Sequence, residues 1–220
     1  MLDRIYSTFN KLYNKISLFP FIFAFVLIWI YFWLNGPAHF SNWPDTYSEL
    51  MLYYLGMIVI FVIFANRPTQ QYLKQQTIAS SMVSFVLFFI LTLFMLLIVV
   101  RIGLFTQPEF NPVLFWPVII LQIFVVATAE EVMFRGVILG YFKTLAFLGI
   151  IIQALLFALW HSYAYQIQYY DLSTFNFPIL LMAFIMGILL GIIAKSKYGL
   201  PACIAIHSCW NIVILGAIHL

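Results

Sequence analysis

Apolar positions dominate seven stretches of the chain, at roughly 17–34, 49–65, 78–100, 113–133, 150–169, 177–194 and 199–218. Each approaches the length of about 20 residues that a helix rising about 1.5 Å per residue needs to cross hydrocarbon. The breaks between them hold turn formers: Asn35-Gly36-Pro37, Arg67-Pro68, Gln107-Pro108 with Pro112, and the run from Lys195 to Pro201. The pattern predicts an all-α, polytopic membrane helical bundle of about seven transmembrane helices.

Orientation follows from the basic residues, which concentrate in cytoplasmic segments. With the N-terminus cytoplasmic, Arg4, Lys11, Lys15, Arg67, Lys74, Lys143, Lys195 and Lys197 all lie inside, against Arg101 outside beside Asp45, Glu49, Glu109 and Asp171. Neither an internal repeat nor a low-complexity linker divides the chain. Residues 1–112 hold three spans without a motif, and residues 113–220 hold every motif read below.

Composition strengthens this reading. Hydrophobic residues make up 65% of the 220 positions and charged residues 8%, against about a quarter charged in soluble domains. A net charge of +3, with no basic cluster, gives no reason to expect a nucleic-acid partner. Cys203 and Cys209 do not indicate a compartment. The basic N-terminus before an apolar run resembles a signal peptide. That run continues to Leu34 without a small-residue cleavage pattern, so an uncleaved first span is expected.

Against this background the stretch ATAEEVMFRG, from Ala127 to Gly136, is anomalous. An ionisable group within a membrane span costs about 2.5–3.5 kcal/mol on insertion scales, and such groups tend to face a cavity or a partner. Glu131 and Arg135 are four apart with the glutamate first, the favourable order for a helical ion pair. Glu130 lies about 100° around the helix from Glu131 and is left for general acid or base chemistry. The plainer alternative is that these charges bind a neighbouring helix or snorkel to the interface. Arg135 could do so; Glu130 is too short.

Two later helices carry histidine. Phe157 and His161 share a face, with Gln153 one turn earlier, and His207 and Asn211 share another, with Cys203 one turn earlier. A single buried histidine is more often a satisfied hydrogen-bonding group than a catalytic one. Two of them with an asparagine and an unpaired glutamate on three helices favour one shared site. Helix rise brings His161 to about 16 Å and His207 to about 12 Å from the inner surface, provided the fifth span begins at Ile150 and the last near Gly199. That register requires residues 136–149 to lie partly along the cytoplasmic interface. Ala183, Gly187 and Gly191 form a small-residue face suited to close helix packing. Aromatic runs such as WIYFW at 29–33 read as lipid-facing or interfacial anchors.

Taken in order, Glu130-Glu131-x-x-x-Arg135, Phe157-x-x-x-His161 and His207-x-x-x-Asn211 resemble the motifs of the type II CAAX prenyl endopeptidase family, also called CPBP or Abi, which consists of intramembrane proteases. The resemblance covers roughly residues 113–219. It implies a membrane endopeptidase in which Glu130 and His161 activate water and His207 and Asn211 stabilise the oxyanion. Glu131 and Arg135 would support the site. It also implies a protein or peptide substrate at the bilayer and a multi-pass membrane location; a prenylated, CAAX-like substrate comes from the family name alone. No metal is favoured, because the chain lacks the H-E-x-x-H spacing. Zinc is the alternative, with Glu130, His161 and His207 as its ligands. Two other functions compete: a non-catalytic membrane scaffold or partner-binding protein of the same fold, and a small transporter. The transporter would be expected to show helices broken in corresponding halves, and none are apparent.

Overall fold

The computed structural model describes residues 22–23, 26–27, 30, 54–59, 69–72, 81–101, 120–161 and 177–219. Most of the first two expected spans, the breaks at 35–37, 67–68 and 107–112, and the outer parts of the fourth and fifth spans lie outside them. So do the aromatic run at 29–33 apart from Ile30 and the boundary at 112. Among the described residues there is no strand, and helices fill everything except two short reversals.

Helix α1, Ser81–Arg101, matches the third expected span. Helix α2 is continuous but not uniform. Wider π-type turns at Leu121–Ala127 and Val132–Ile138 flank an α-helical turn at Thr128–Glu131, and Leu139–Tyr141 closes the helix. Turns of this type collect at functional sites, and here they bracket the two glutamates. The chain then reverses tightly. Phe142 leaves helical geometry, its N–H still bonded to the Ile138 carbonyl at 3.2 Å. Lys143–Leu145 make one 3-10 turn, and Ala146 turns the corner at φ 48°.

Helix α3, Ala146–His161, starts immediately, and Gly149 makes that possible, because a Cβ there would collide with the Phe142 carbonyl oxygen. Helix α4, Phe177–Ala194, runs alongside α3. After the second reversal, helix α5, Gly199–His219, packs between α1 and the start of α2. Gly199 takes φ 59°, a left-handed conformation that glycine adopts without steric cost. Pro201 sits in the first turn, where its missing N–H breaks no helical bond.

The two reversals occupy the same end of the molecule: Lys195 Nζ donates to the Ala146 carbonyl at 2.7 Å. The expected stretch of residues 136–149 along an interface is replaced by this geometry. Helix α2 continues eight residues beyond its expected end, to Tyr141, with Leu139 and Gly140 buried. The sequence suggested an end near Arg135 because a charge normally leaves the bilayer. Arg135 is instead fully buried and neutralised within its own helix, so the helix has no reason to stop there.

The longer α2 and the earlier start of α3 also set the register. Glu130 lies about 16 Å along α2 from Tyr141, and His161 about 22 Å along α3 from Ala146. Side chains lean toward the N-terminus of their own helix. In this antiparallel pair Glu130 leans away from the reversal and His161 back toward it, which narrows the gap.

The small-residue face is a helix contact, as expected. A Cβ on Gly187 would lie 2.9 Å from the Ala154 Cα, and one on Gly191 would lie 2.8 Å from Gln153 Nε2. One core cluster gathers Met133, Phe134, Val137, Phe157 and Trp160 with Tyr54 and Met57. A second joins Leu139, Ile150, Leu190, Ala194 and Cys203.

Candidate active site

Glu130 sits on the α-helical turn of α2, where α3 and α5 converge, and its side chain is 3% exposed. Its two oxygens have different surroundings. Oε1 accepts from the Tyr54 hydroxyl at 3.3 Å and from the Trp160 indole N–H at 3.2 Å. Oε2 faces His161 Nε2 at 3.5 Å and His207 Nε2 at 3.6 Å and has no hydrogen-bond donor among the described residues.

Each histidine is held by its other nitrogen. His161 Nδ1 lies 2.8 Å from the Phe157 carbonyl, one turn back on α3. A carbonyl only accepts, so this nitrogen carries the hydrogen. His207 Nδ1 lies 2.7 Å from Glu131 Oε1, which also accepts from Arg135 Nη1 at 2.8 Å. With Arg135 so placed, Glu131 is an ionised acceptor and His207 Nδ1 is the donor. In its neutral form each imidazole therefore turns its Nε2 lone pair toward Glu130. Three acceptor atoms meet within 4.8 Å of one another. Such a set calls for a donor among them, either a water giving both its hydrogens or a cation.

Phe157 binds the arrangement together. The Arg135 guanidinium carbon stands 4.1 Å from the centre of its ring, the His161 ring 4.3 Å and the His207 ring 5.6 Å. Desolvated cation–π contacts of this kind contribute about 2 kcal/mol. The pairing of Glu131 with Arg135 expected from their spacing is present, and it does more than neutralise charge, since it fixes the tautomer of His207.

The structure thus brings together Glu130, His161, His207, Glu131, Arg135 and Phe157. Asn211 lies one turn beyond His207 on α5, half-buried. The two stripe companions go elsewhere. Gln153 Nε2 donates to the Gly187 carbonyl at 2.6 Å, and the Cys203 thiol donates to the Leu190 carbonyl at 3.3 Å, so both serve helix packing. Two participants escaped the sequence reading. Trp160 directly precedes His161 and looks like any core aromatic. Tyr54 belongs to the second expected span, where nothing in the local pattern marks it.

The Glu130, His161 and His207 atoms also fit a metal ion. One carboxylate and two imidazoles with the other positions open is the donor set of a catalytic zinc, and both imidazoles carry the outer hydrogen bond that orients such ligands.

Residues 112–213 match a family model described as type II CAAX prenyl endopeptidase Rce1-like. The family that the motifs resemble is the one whose model matches this segment. No curated protein and no solved structure matches the chain. The family supports an endopeptidase acting on protein or peptide, and its members are membrane proteins. Among the described residues one helical stretch, Lys143–His161, is long and apolar enough by itself to cross a membrane.

Proposed function

We propose that the chain is a multi-pass intramembrane endopeptidase that hydrolyses peptide bonds by a water held between Glu130 Oε2 and His161 Nε2. The observation that carries this reading is the division of Glu130: Oε1 is occupied by two donors while Oε2 faces the imidazole nitrogens. A water donating one hydrogen to Oε2 and the other to His161 Nε2 turns its lone pairs outward. As it attacks the peptide carbonyl carbon, its proton passes to Oε2. The same carboxyl then returns a proton to the leaving amine as the C–N bond breaks. His161 is more open than Glu130 or His207, 14% exposed against 3% and 4%, so water and substrate arrive on its side.

His207 and Asn211 supply donors to the carbonyl oxygen as it becomes anionic. For His207 this requires a hydrogen on Nε2, hence the imidazolium, with Glu131 as its counter-ion. Multi-pass insertion is supported by the outward faces of the helices. Val83, Leu87, Ile90 and Phe94 form an exposed apolar stripe at helical spacing on α1, where a water-soluble protein would carry polar groups.

The test is a comparison of membrane and secreted peptide termini, by mass spectrometry, in native cells carrying wild type or Glu130→Gln. The substitution keeps shape and removes the base. Loss of a defined set of termini is the expected result, since general-base catalysis contributes about 10²–10⁴-fold. Unchanged termini at normal protein level would leave a non-catalytic scaffold as the better reading.

A second reading rests on the three converging acceptors. Held by Glu130, His161 and His207, a zinc ion would polarise the carbonyl and acidify its bound water. On the reading adopted here, metal-depleted protein retains its processing of the termini identified above and zinc does not raise its melting temperature. Loss on depletion with recovery on zinc alone would favour the metal.

A further inference from the structure

Resting on that peptidase reading, we propose that Tyr54 and Trp160 are positioning residues that hold Glu130 in the one orientation that works. A glutamate carboxyl turns about a broad, two-fold terminal torsion, and half a turn merely exchanges two equivalent oxygens. In this pocket any smaller departure from the observed plane is opposed from two directions. The Tyr54 hydroxyl comes from the helical segment 54–59 and the Trp160 indole N–H from α3, and both reach the same oxygen, Oε1. Both side chains are buried and fixed in place, Tyr54 at 2% exposure and Trp160 at 0% beneath the edge of Phe134. The indole can only donate. Turning the carboxyl would withdraw Oε1 from these donors.

Oε2 has the complementary setting, facing His161 Nε2, whose ring hydrogen lies on the far side at Nδ1, with His207 Nε2 at 3.6 Å. It is the oxygen with capacity left to take a proton from water. The donors divide one carboxyl into an anchored oxygen and a reactive one. Held geometry of this kind matters because a misplacement of about 1 Å can cost about a hundredfold in rate.

Tyr54 lies outside the matched segment 112–213. The N-terminal part of the chain therefore contributes a group to the reaction centre beyond any role as membrane anchor. Nothing in its immediate sequence signals this, because the contact is made across 76 positions.

The experiment uses the full-length protein as wild type, Tyr54→Phe, Trp160→Phe and Glu130→Gln. Tyr54→Phe removes one oxygen and keeps the ring. Two readouts are taken per amount of folded protein. One is the rate of formation of the termini lost in Glu130→Gln, with kcat and KM on a peptide spanning one of them. The other is the infrared band of the Glu130 carboxyl, isolated by subtracting the Glu130→Gln spectrum. Tyr54→Phe should lower kcat about tenfold with KM unchanged and shift the carboxyl band, and Trp160→Phe should act in the same direction. A purely structural role would lower the folded amount and leave both normalised readouts alone; that result overturns the inference. Termini abolished by Glu130→Gln but unaffected in both donor variants would also overturn it while the peptidase reading stands. If Glu130→Gln changes no termini, the peptidase reading falls and takes the positioning role with it.

Discussion

At the scale of single residues, charge at this site is arranged so that each ionised group completes another. Arg135 is fully buried, reaches Glu131 through Nη1 and lies over Phe157, while Glu131 turns its Oε1 to His207 as well. Glu131→Ala would strand a buried guanidinium and free His207 to rotate. Breaking a buried ion pair from one side costs about 3–5 kcal/mol. The variant is expected to be poorly accumulated and low-melting, which quantitative immunoblotting and thermal unfolding in detergent will register. Asn211→Ala is expected to behave differently. On the proposed mechanism it removes a donor needed only in the transition state, lowering kcat about a hundredfold with an unchanged melting temperature. A variant as active as wild type would remove Asn211 from the oxyanion site.

At the scale of elements, the site depends on how closely α3 approaches α4 and how sharply α2 turns into α3. Both are set by glycine. Gly187 meets the Ala154 backbone, and its carbonyl takes the Gln153 amide. Gly187→Val would force the helices apart, since the opposing atoms are the Ala154 backbone and its Cβ, which cannot yield. Overpacking of this kind costs about 1–3 kcal/mol. A lower melting temperature is expected, together with reduced processing, because α3 carries both Trp160 and His161. The reversal after Tyr141 places a non-glycine residue, Ala146, at φ 48°, and the bond from Lys195 to its carbonyl ties that corner to the next. Ala146→Gly should relieve the strain and raise the melting temperature, because a sparsely populated positive-φ conformation costs a residue with a Cβ about 1–3 kcal/mol. An unchanged or lower value would show that the corner is not a source of strain.

At the scale of the whole molecule, the two reversals share one end, and that end carries Lys143, Lys195 and Lys197. On the proposed multi-pass reading, the basic-residue rule makes it the cytoplasmic face. Lys143→Cys and Lys197→Cys, each introduced singly, should be labelled by a membrane-impermeant thiol reagent only when the cytoplasmic face is open to it. Labelling of intact cells would reverse the topology. The native cysteines do not confuse this test, since Cys203 and Cys209 are both buried.

Much of this was legible in the chain itself. Three motifs spaced at four residues placed Glu131 beside Arg135, Phe157 beside His161 and His207 beside Asn211, because helical periodicity makes such pairs neighbours whatever surrounds them. The helical class, the small-residue face of α4 and the start of α5 at Gly199 followed from equally local rules. What the chain did not disclose is what lies opposite each face. Arg135 looked like the end of a span because its charge was visible in the sequence and its burial was not. Tyr54 and Trp160 were unremarked because an aromatic in an apolar helix has no local mark of its partner. The orientation of His207 by Glu131 spans 76 positions, and no periodicity encodes it. Sequence determined which groups share a helix face. Only tertiary packing decided which oxygen of Glu130 is anchored and which is open, because that depends on donors delivered by other helices.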